Sequence, residues 1–251
     1  MKFIYLLIRV PLLFTHVLMG LIILIFFPSN VTNLKAHHHI ISLYWMKILI
    51  KIFGLNIIQK GNLSESADAY VSNHISFLDI IVLNSLIPSN FVAKSEIKNW
   101  PIIGRLSSRT GTIFIKRGDE NDIQNVVGIM REYIRMKKKV IFFPEGRIGN
   151  GNIVRKFHSK LFNCMSNTRS HVQPIFIRYP IEYPTNNLSD SSVCWADKTQ
   201  TLAKISLRCL GRTSTNVIVE FKNSIDATKY DAYELAKKTS NLVLESSNDT
   251  I

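Results

Sequence analysis

Residues 10–27, VPLLFTHVLMGLIILIFF, carry no formal charge, and extending the run back to Phe3 adds only Arg9. About 18 residues at 1.5 Å each span roughly 27 Å, close to the hydrocarbon thickness of a bilayer. The run is predicted to be a membrane anchor. Lys2 and Arg9 ahead of it also suit the charged start of a secretory signal. The apolar run is longer than the usual core of such a signal, about 7–15 residues, and Phe27-Pro28-Ser29-Asn30 is not an Ala-x-Ala cleavage pattern.

A second apolar stretch runs from Ile40 to Leu55, with Tyr44, Trp45, Lys47 and Lys51 on it. Aromatic residues and lysines on an apolar helix suit the boundary between headgroups and acyl chains, so this helix is expected to lie on the membrane or return partway into it. The alternative is a core helix of a globular domain. His37, His38 and His39 between the segments are read as a solvated or headgroup-level loop, not as metal ligands, because adjacent side chains point in different directions. Lys2 and Arg9 precede the first segment while Lys35, Lys47 and Lys51 follow it, so charge gives no orientation for a single span. A hairpin would keep both flanks on one side. Residues 1–60 are thus assigned to N-terminal membrane-anchoring helices and 61–251 to a globular domain.

A formal charge of +13 suits either nucleic acid or an anionic membrane surface. The basic residues are spread among short runs with no recognition helix, zinc module or stacking platform, so membrane headgroups are the expected partner and nucleic acid is not. Cys164, Cys194 and Cys209 form an odd, sparse set without Cys-x-x-Cys, which argues for a reducing compartment. Cys164 sits in an apolar run that reads as helix core, and the other two have no neighbouring base.

Beyond Gly61 short β-rich runs alternate with helical ones: 69–73, 91–94, 112–116, 140–143, 173–178 and 216–221. The clearest helix spans about Asp122 to Lys137, with Ile123, Val126, Val127, Met130, Tyr133 and Ile134 on one face. Asp119, Glu120 and Asp122 at its start and Lys137, Lys138 and Lys139 at its end suit the helix dipole. A last helix covers about Tyr230 to Leu244. Residues 182–200, with Pro184, Asn186 and Asn187, read as a long loop. The pattern predicts an α/β fold with a mixed, largely parallel sheet flanked by helices.

His74 and Asp79 follow the first of these strands directly. Five residues apart on one regular helix they would face about 140° apart, so they meet only if the chain turns between them. A strand-to-helix junction supplies that turn, with Asp79 in the first helical turn binding one ring nitrogen and the other left free as a base. Ser76 followed by Asp79 is equally a helix-capping pattern that needs no chemistry. Three further segments at strand ends accompany the pair: Gly111-Thr112-Ile113-Phe114-Ile115-Lys116-Arg117, Phe143-Pro144-Glu145-Gly146 and Val172-Gln173-Pro174-Ile175.

In order and spacing these resemble the four sequence blocks of the PlsC-like glycerolipid acyltransferases, NHxxxxD, GxxFIxR, FPEG and VxPI. Val92-Ala93-Lys94-Ser95-Glu96 with Pro101 and Gly104 also looks like that family, so the resemblance covers roughly residues 61–222. It implies an acyltransferase with no cofactor and no metal, taking acyl-CoA or acyl carrier protein as donor and lysophosphatidic acid or a similar lyso-lipid as acceptor. Its site would face the cytoplasm. By the same resemblance His74 is the base and Asp79 its orienting carboxylate. Arg117, beside Lys116, binds the acceptor phosphate, for which a planar guanidinium is suited. Glu145 and Gly146 shape the acceptor site. Where many members continue FPEG with Thr-Arg-Ser, this chain has Arg147-Ile148-Gly149, an arginine shifted by one position. The stretch through Gly151, Phe157 to Phe162 and Trp195-Ala196-Asp197 looks somewhat like the subgroup that acylates lyso-ornithine lipids. A non-catalytic lipid-binding protein is the remaining alternative.

Overall fold

The structure, a computed structural model, describes residues 2–26, 36–166, 168–183, 188–195, 197 and 199–248. Phe27, Pro28, Ser29, Asn30, Lys35, Pro184, Asn186, Asn187 and Ala196, used in the readings above, lie outside the described residues.

Two helices, α1 (Lys2–Phe26) and α2 (Ala36–Phe53), come first. The α/β part follows as β1 (Leu55–Lys60), β2 (Ala69–Ser72), α3 (Leu78–Leu86), β3 (Asn90–Lys94), α4 (Ile103–Arg109), β4 (Ile113–Ile115), α5 (Glu120–Arg135) and β5 (Val140–Phe142). It ends with β6 (His171–Arg178), α6 (Leu202–Leu210), β7 (Thr215–Phe221), β8 (Ile225–Asp226) and α7 (Ala232–Asn248). All six expected strands form. β1 and β8 were not expected, and β1 brings residues 55–60, which the sequence reading put with the anchor, into the sheet. The three histidines correct another expectation: His37, His38 and His39 lie in the first turns of α2, not in a loop. Helical hydrogen bonding there is continuous with the apolar segment, which outweighs the polarity of the imidazoles.

The strands form one sheet in the order β1-β7-β6-β2-β5-β3-β4, with β8 beside β6. β2 to β6 run parallel, while β7 is antiparallel to β6 and parallel to β1. From the central β2 the chain moves first to the β5-β3-β4 side and later returns to β6 on the other. This change of direction opens a crevice outside the carboxyl ends of the strands, the usual ligand position in such sheets.

Side chains alternate between two cores, as strand geometry requires. Tyr70, Ile141, Ile175 and Ile177 face α2, α3 and α6, while Ala69, Val71, Val140, Phe142 and Phe176 face α5 and α7. On α2, Leu49, Ile52 and Phe53 are buried in the first core, whereas Ile40, Tyr44 and Ile48 form an exposed stripe. The helix therefore combines the two readings made of it, core on one side and interfacial on the other.

One face of α1 touches the folded domain along the helix's whole length. Leu6 reaches Gly211 beyond the end of α6. The Arg9 guanidinium donates to the carbonyls of Arg212 (2.5 Å), Thr213 (3.0 Å) and Leu210 (3.4 Å). These lie at and beyond the α6 C-terminus, where helix carbonyls lack intrahelical partners. Further along, the His16 and Trp45 rings lie 3.9 Å apart. A Cβ at Gly20 would stand 1.8 Å from a Trp45 ring carbon, so this crossing of α1 and α2 requires glycine. The opposite face, including Phe3, Leu7, Phe14, Leu18, Ile22 and Ile25, is apolar and exposed. By length and composition α1 is able to cross a membrane.

Arg9→Met removes three charge-assisted bonds and leaves the carbonyls after α6 without their donor. Thermal unfolding in detergent is expected to show a loss of about 2 kcal/mol relative to the unsubstituted chain.

Candidate active site

The loop that carries His74 is tied down from three directions. Asn73 exchanges two 2.8 Å bonds with the backbone of Ile177, its side-chain amide donating to the carbonyl and its oxygen accepting from the N–H. The His74 N–H donates to Glu145 Oε1 at 2.9 Å, and the His74 carbonyl accepts from the Gly149 N–H at 2.6 Å. On the far side the Ile75 carbonyl accepts from the Trp195 N–H at 2.8 Å, and the Ser76 hydroxyl donates to the Val193 carbonyl at 2.8 Å. A loop whose polar groups are all engaged has little freedom to move its side chains.

The turn places Asp79 in the first turn of α3, and its Oδ2 lies 2.8 Å from His74 Nδ1. The same oxygen accepts from the Ile75 N–H (2.7 Å) and the Ser76 N–H (3.0 Å), while Oδ1 accepts from the Tyr179 hydroxyl (2.9 Å). The carboxylate's bond from the Ser76 N–H is the half of the capping pattern that forms, so Asp79 serves it together with the imidazole, while the Ser76 hydroxyl turns to Val193 instead. Asp79 and Tyr179 are fully buried. With an anionic acceptor at Nδ1, the neutral imidazole carries its proton there and presents a lone pair at Nε2. No described residue bonds Nε2, and that nitrogen is not among the buried unpaired atoms, so it faces solvent. Phe143 stacks on the imidazole with centroids 4.0 Å apart and planes 13° apart, which fixes the ring's tilt.

Glu145 is buried, and both of its oxygens are engaged: Oε1 by the His74 N–H, Oε2 by the Arg155 N–H at 3.2 Å. The carboxyl braces the base's backbone instead of standing free in an acceptor site. Burial pushes it up to about 7, against the pull of the two N–H groups and the Arg155 guanidinium, with the negative charge of Asp79 adding to the rise. Gly146 takes a left-handed φ of 72°, and a Cβ there would stand 3.3 Å from the His158 ring.

The remaining expected residues share the edge but not the contact. Lys116 and Arg117 follow β4, three strands from β2, which is roughly 14 Å at 4.8 Å per strand. Both are exposed, Lys116 lying 3.4 Å from Asp119. Desolvation by neighbouring atoms lowers the Arg117 guanidinium from its ordinary value even at this solvent-accessible position, against the opposing pull of the Glu96 carboxylate. Arg147 is exposed and makes no hydrogen bond or ion pair among the described residues. Cys164, Cys194 and Cys209 are buried free thiols, and burial raises all three out of the nucleophilic range. Sequence reasoning missed Tyr179, Asn73, Phe143 and Arg155. The first three stand one residue beyond β6, β2 and β5 respectively, and that position was the available signal.

A carboxyl raised from 4.5 to about 7 binds its proton more tightly in the folded protein. Its contribution to stability is complete below about pH 4.5 and lost as pH rises through 7, by about 3 kcal/mol. Glu145→Gln does not titrate. The unfolding free energy of the unsubstituted chain minus that of Glu145→Gln is therefore expected to fall by about that amount between pH 4.5 and a pH above 7. A difference independent of pH would contradict the assignment.

A sequence model of the acyltransferase family matches residues 54–178. The 1-acyl-sn-glycerol-3-phosphate acyltransferase of Neisseria gonorrhoeae is 35% identical over 108 residues, 43% of this chain and 42% of that protein. The alignment thus spans less than half the relative's length. The lyso-ornithine lipid O-acyltransferase of Pseudomonas aeruginosa is 26% identical over 215 residues, 86% of this chain and 80% of that protein. The crystal structure of the 1-acyl-sn-glycerophosphate acyltransferase PlsC from Thermotoga maritima superposes with a TM-score of 0.70 over 98% of this chain and 94% of that one, at 15% identity, so the fold is shared. With three of the four sequence blocks at one edge of that fold and the fourth inside β6, residues 54–178 carry an acyltransferase-family domain, and the chain is similar in sequence to 1-acyl-sn-glycerol-3-phosphate and lyso-ornithine lipid acyltransferases and in fold to PlsC.

Proposed function

We propose that the protein transfers a fatty acyl chain from acyl-CoA or acyl carrier protein to the free hydroxyl of 1-acyl-sn-glycerol 3-phosphate, giving phosphatidic acid. The observation that carries this reading is the buried Asp79 holding His74 Nδ1 at 2.8 Å while Nε2 faces solvent. His74 Nε2 takes the proton of the acceptor hydroxyl as the oxygen attacks the thioester carbonyl carbon. The carbon–sulfur bond breaks, and the thiolate leaves with the proton held by the imidazole. Asp79 stabilises the positive ring between these steps, and no protein nucleophile is needed. Tyr179 acts through Asp79 as a positioning residue, since its hydroxyl fixes the oxygen that does not face the imidazole.

Arg117 supplies a guanidinium for the acceptor phosphate at the same edge, with Lys116 beside it; Glu145 and Gly146 hold the loop under the base, and Arg147 reaches the acceptor from the exposed side. The reading assigns the N-terminal helical part, moved back from residues 1–60 to 1–54 by the pairing of β1, to the membrane anchor and the rest, 61–251 with β1 added, to the catalytic domain. It also places the catalytic edge on the cytoplasmic side of the membrane, where thioester donors and reduced thiols coexist. A second acceptor, lyso-ornithine lipid, is favoured by the long alignment with the Pseudomonas aeruginosa enzyme, over 86% of this chain, and by Arg147-Ile148-Gly149, which departs from the usual third block and leaves Arg147 exposed.

Membranes carrying the protein, given radiolabelled acyl-CoA or acyl carrier protein, are expected to acylate lysophosphatidic acid faster than lyso-ornithine lipid; the reverse order would favour the second reading. His74→Ala is expected to lose roughly two to four orders of magnitude in kcat, and full activity in that variant would exclude it as the base.

Tyr179→Phe is expected to lower kcat about tenfold with little change in KM.

A further inference from the structure

A groove of about 620 Å³ lies between the C-terminal half of α1 and α4. Leu21, Leu24 and Ile25 form its apolar wall, and Lys98, Arg105 and Arg109 line the rest with Gly104 and Ser108. Arg109 is already engaged, which leaves Lys98 and Arg105 as the two cations open to a ligand. Its size falls within the range of small-molecule sites. None of His74, Asp79, Lys116, Arg117, Glu145, Gly146 and Arg147 lines it, so it is distinct from the site described above.

The backbone is built to bring the two cations together. Lys98 stands in a 3₁₀-helix over Ser95–Asn99 that continues directly from β3, and Arg105 stands on α4. A Cβ at Gly104 would lie 2.2 Å from the Lys98 carbonyl oxygen, so glycine lets the two short helices close on each other and puts both side chains on one rim. Neither side chain has a hydrogen-bond or ion-pair partner among the described residues. Trp100, Ile102 and Ile103, between them in sequence, are exposed apolar residues of the kind that settle at a headgroup boundary.

A filler of this groove must offer negative charge to one wall and hydrocarbon to the other. A soluble phosphate has no use for the leucines, and a zwitterionic lipid leaves the two cations unbalanced. We propose that the groove binds one anionic phospholipid of the bilayer, its phosphate against Lys98 and Arg105 and an acyl chain along Leu21, Leu24 and Ile25. This goes beyond the proposed reaction and does not depend on which acceptor is used.

The test is native mass spectrometry of the full chain in a neutral detergent, titrated with phosphatidylglycerol and, separately, with phosphatidylcholine of the same chains. The unsubstituted protein is expected to take up one phosphatidylglycerol in preference to phosphatidylcholine. Lys98→Gln with Arg105→Gln is expected to weaken phosphatidylglycerol uptake roughly 30-fold, taking about 1 kcal/mol for each cation. Leu24→Ser is expected to weaken it about tenfold through lost apolar contact. Circular dichroism of each variant checks that it is folded. Lys47→Gln with Lys51→Gln, on α2 outside the groove, is expected to leave uptake unchanged. An equal loss in that control pair would mean diffuse attraction and overturn the proposal. So would unchanged uptake in the Lys98/Arg105 pair or in Leu24→Ser, or displacement of the lipid by inorganic phosphate.

Discussion

The site depends on one buried carboxylate. Asp79 accepts four hydrogen bonds, from the His74 ring, two backbone N–H groups and the Tyr179 hydroxyl, and it has no exposure to water. A buried charge with fewer partners would be costly. Here the same bonds that offset the cost also start α3, fix the imidazole's tautomer and join β6 to β2 beyond the ends of the strands. Removing the carboxylate would therefore undo a helix start and a ring orientation together.

The groups around it are ordered by the sheet. Because β2 to β6 are parallel, whatever follows each strand emerges at one edge, and Asn73, Lys116, Phe143 and Tyr179 each follow a strand directly. Distance along that edge then separates roles. Residues beyond β2, β5 and β6, neighbours in the sheet, touch the imidazole or its carboxylate, whereas those beyond β4 stand roughly 14 Å away.

The parts legible in the sequence were those with a local period or a local spacing. Short β-rich runs showed six strands, the amphipathic stripe showed α5, and the five-position step from His74 to Asp79 implied a bend at a strand end. Contacts between distant segments were not legible. Tyr179 reads as one more core aromatic until β6 sets it beside a residue 100 positions earlier. β1 follows a helix directly, through Gly54 at a φ of 65°, and its strand character comes from pairing with β7. For Glu145 the resemblance implied a part in shaping the acceptor site, and the backbone N–H groups of His74 and Arg155 that engage its two oxygens come from segments whose approach no local spacing announces. The histidines before Ile40 were given to a loop because adjacent side chains point apart and so suit no metal, an argument that bears on ligation and not on whether the backbone is helical.

The inward face of α1 is held near its start by Arg9 and near its middle by the Gly20–Trp45 crossing, while its outward face is bare hydrocarbon. A helix fastened to its domain in this way sets the elevation of the imidazole above the acyl chains of the membrane, as a keel sets a hull's draught. In the proposed reaction, acceptors would then be sorted by how far their hydroxyl protrudes from the lipid surface, before any side chain recognises the rest of the headgroup.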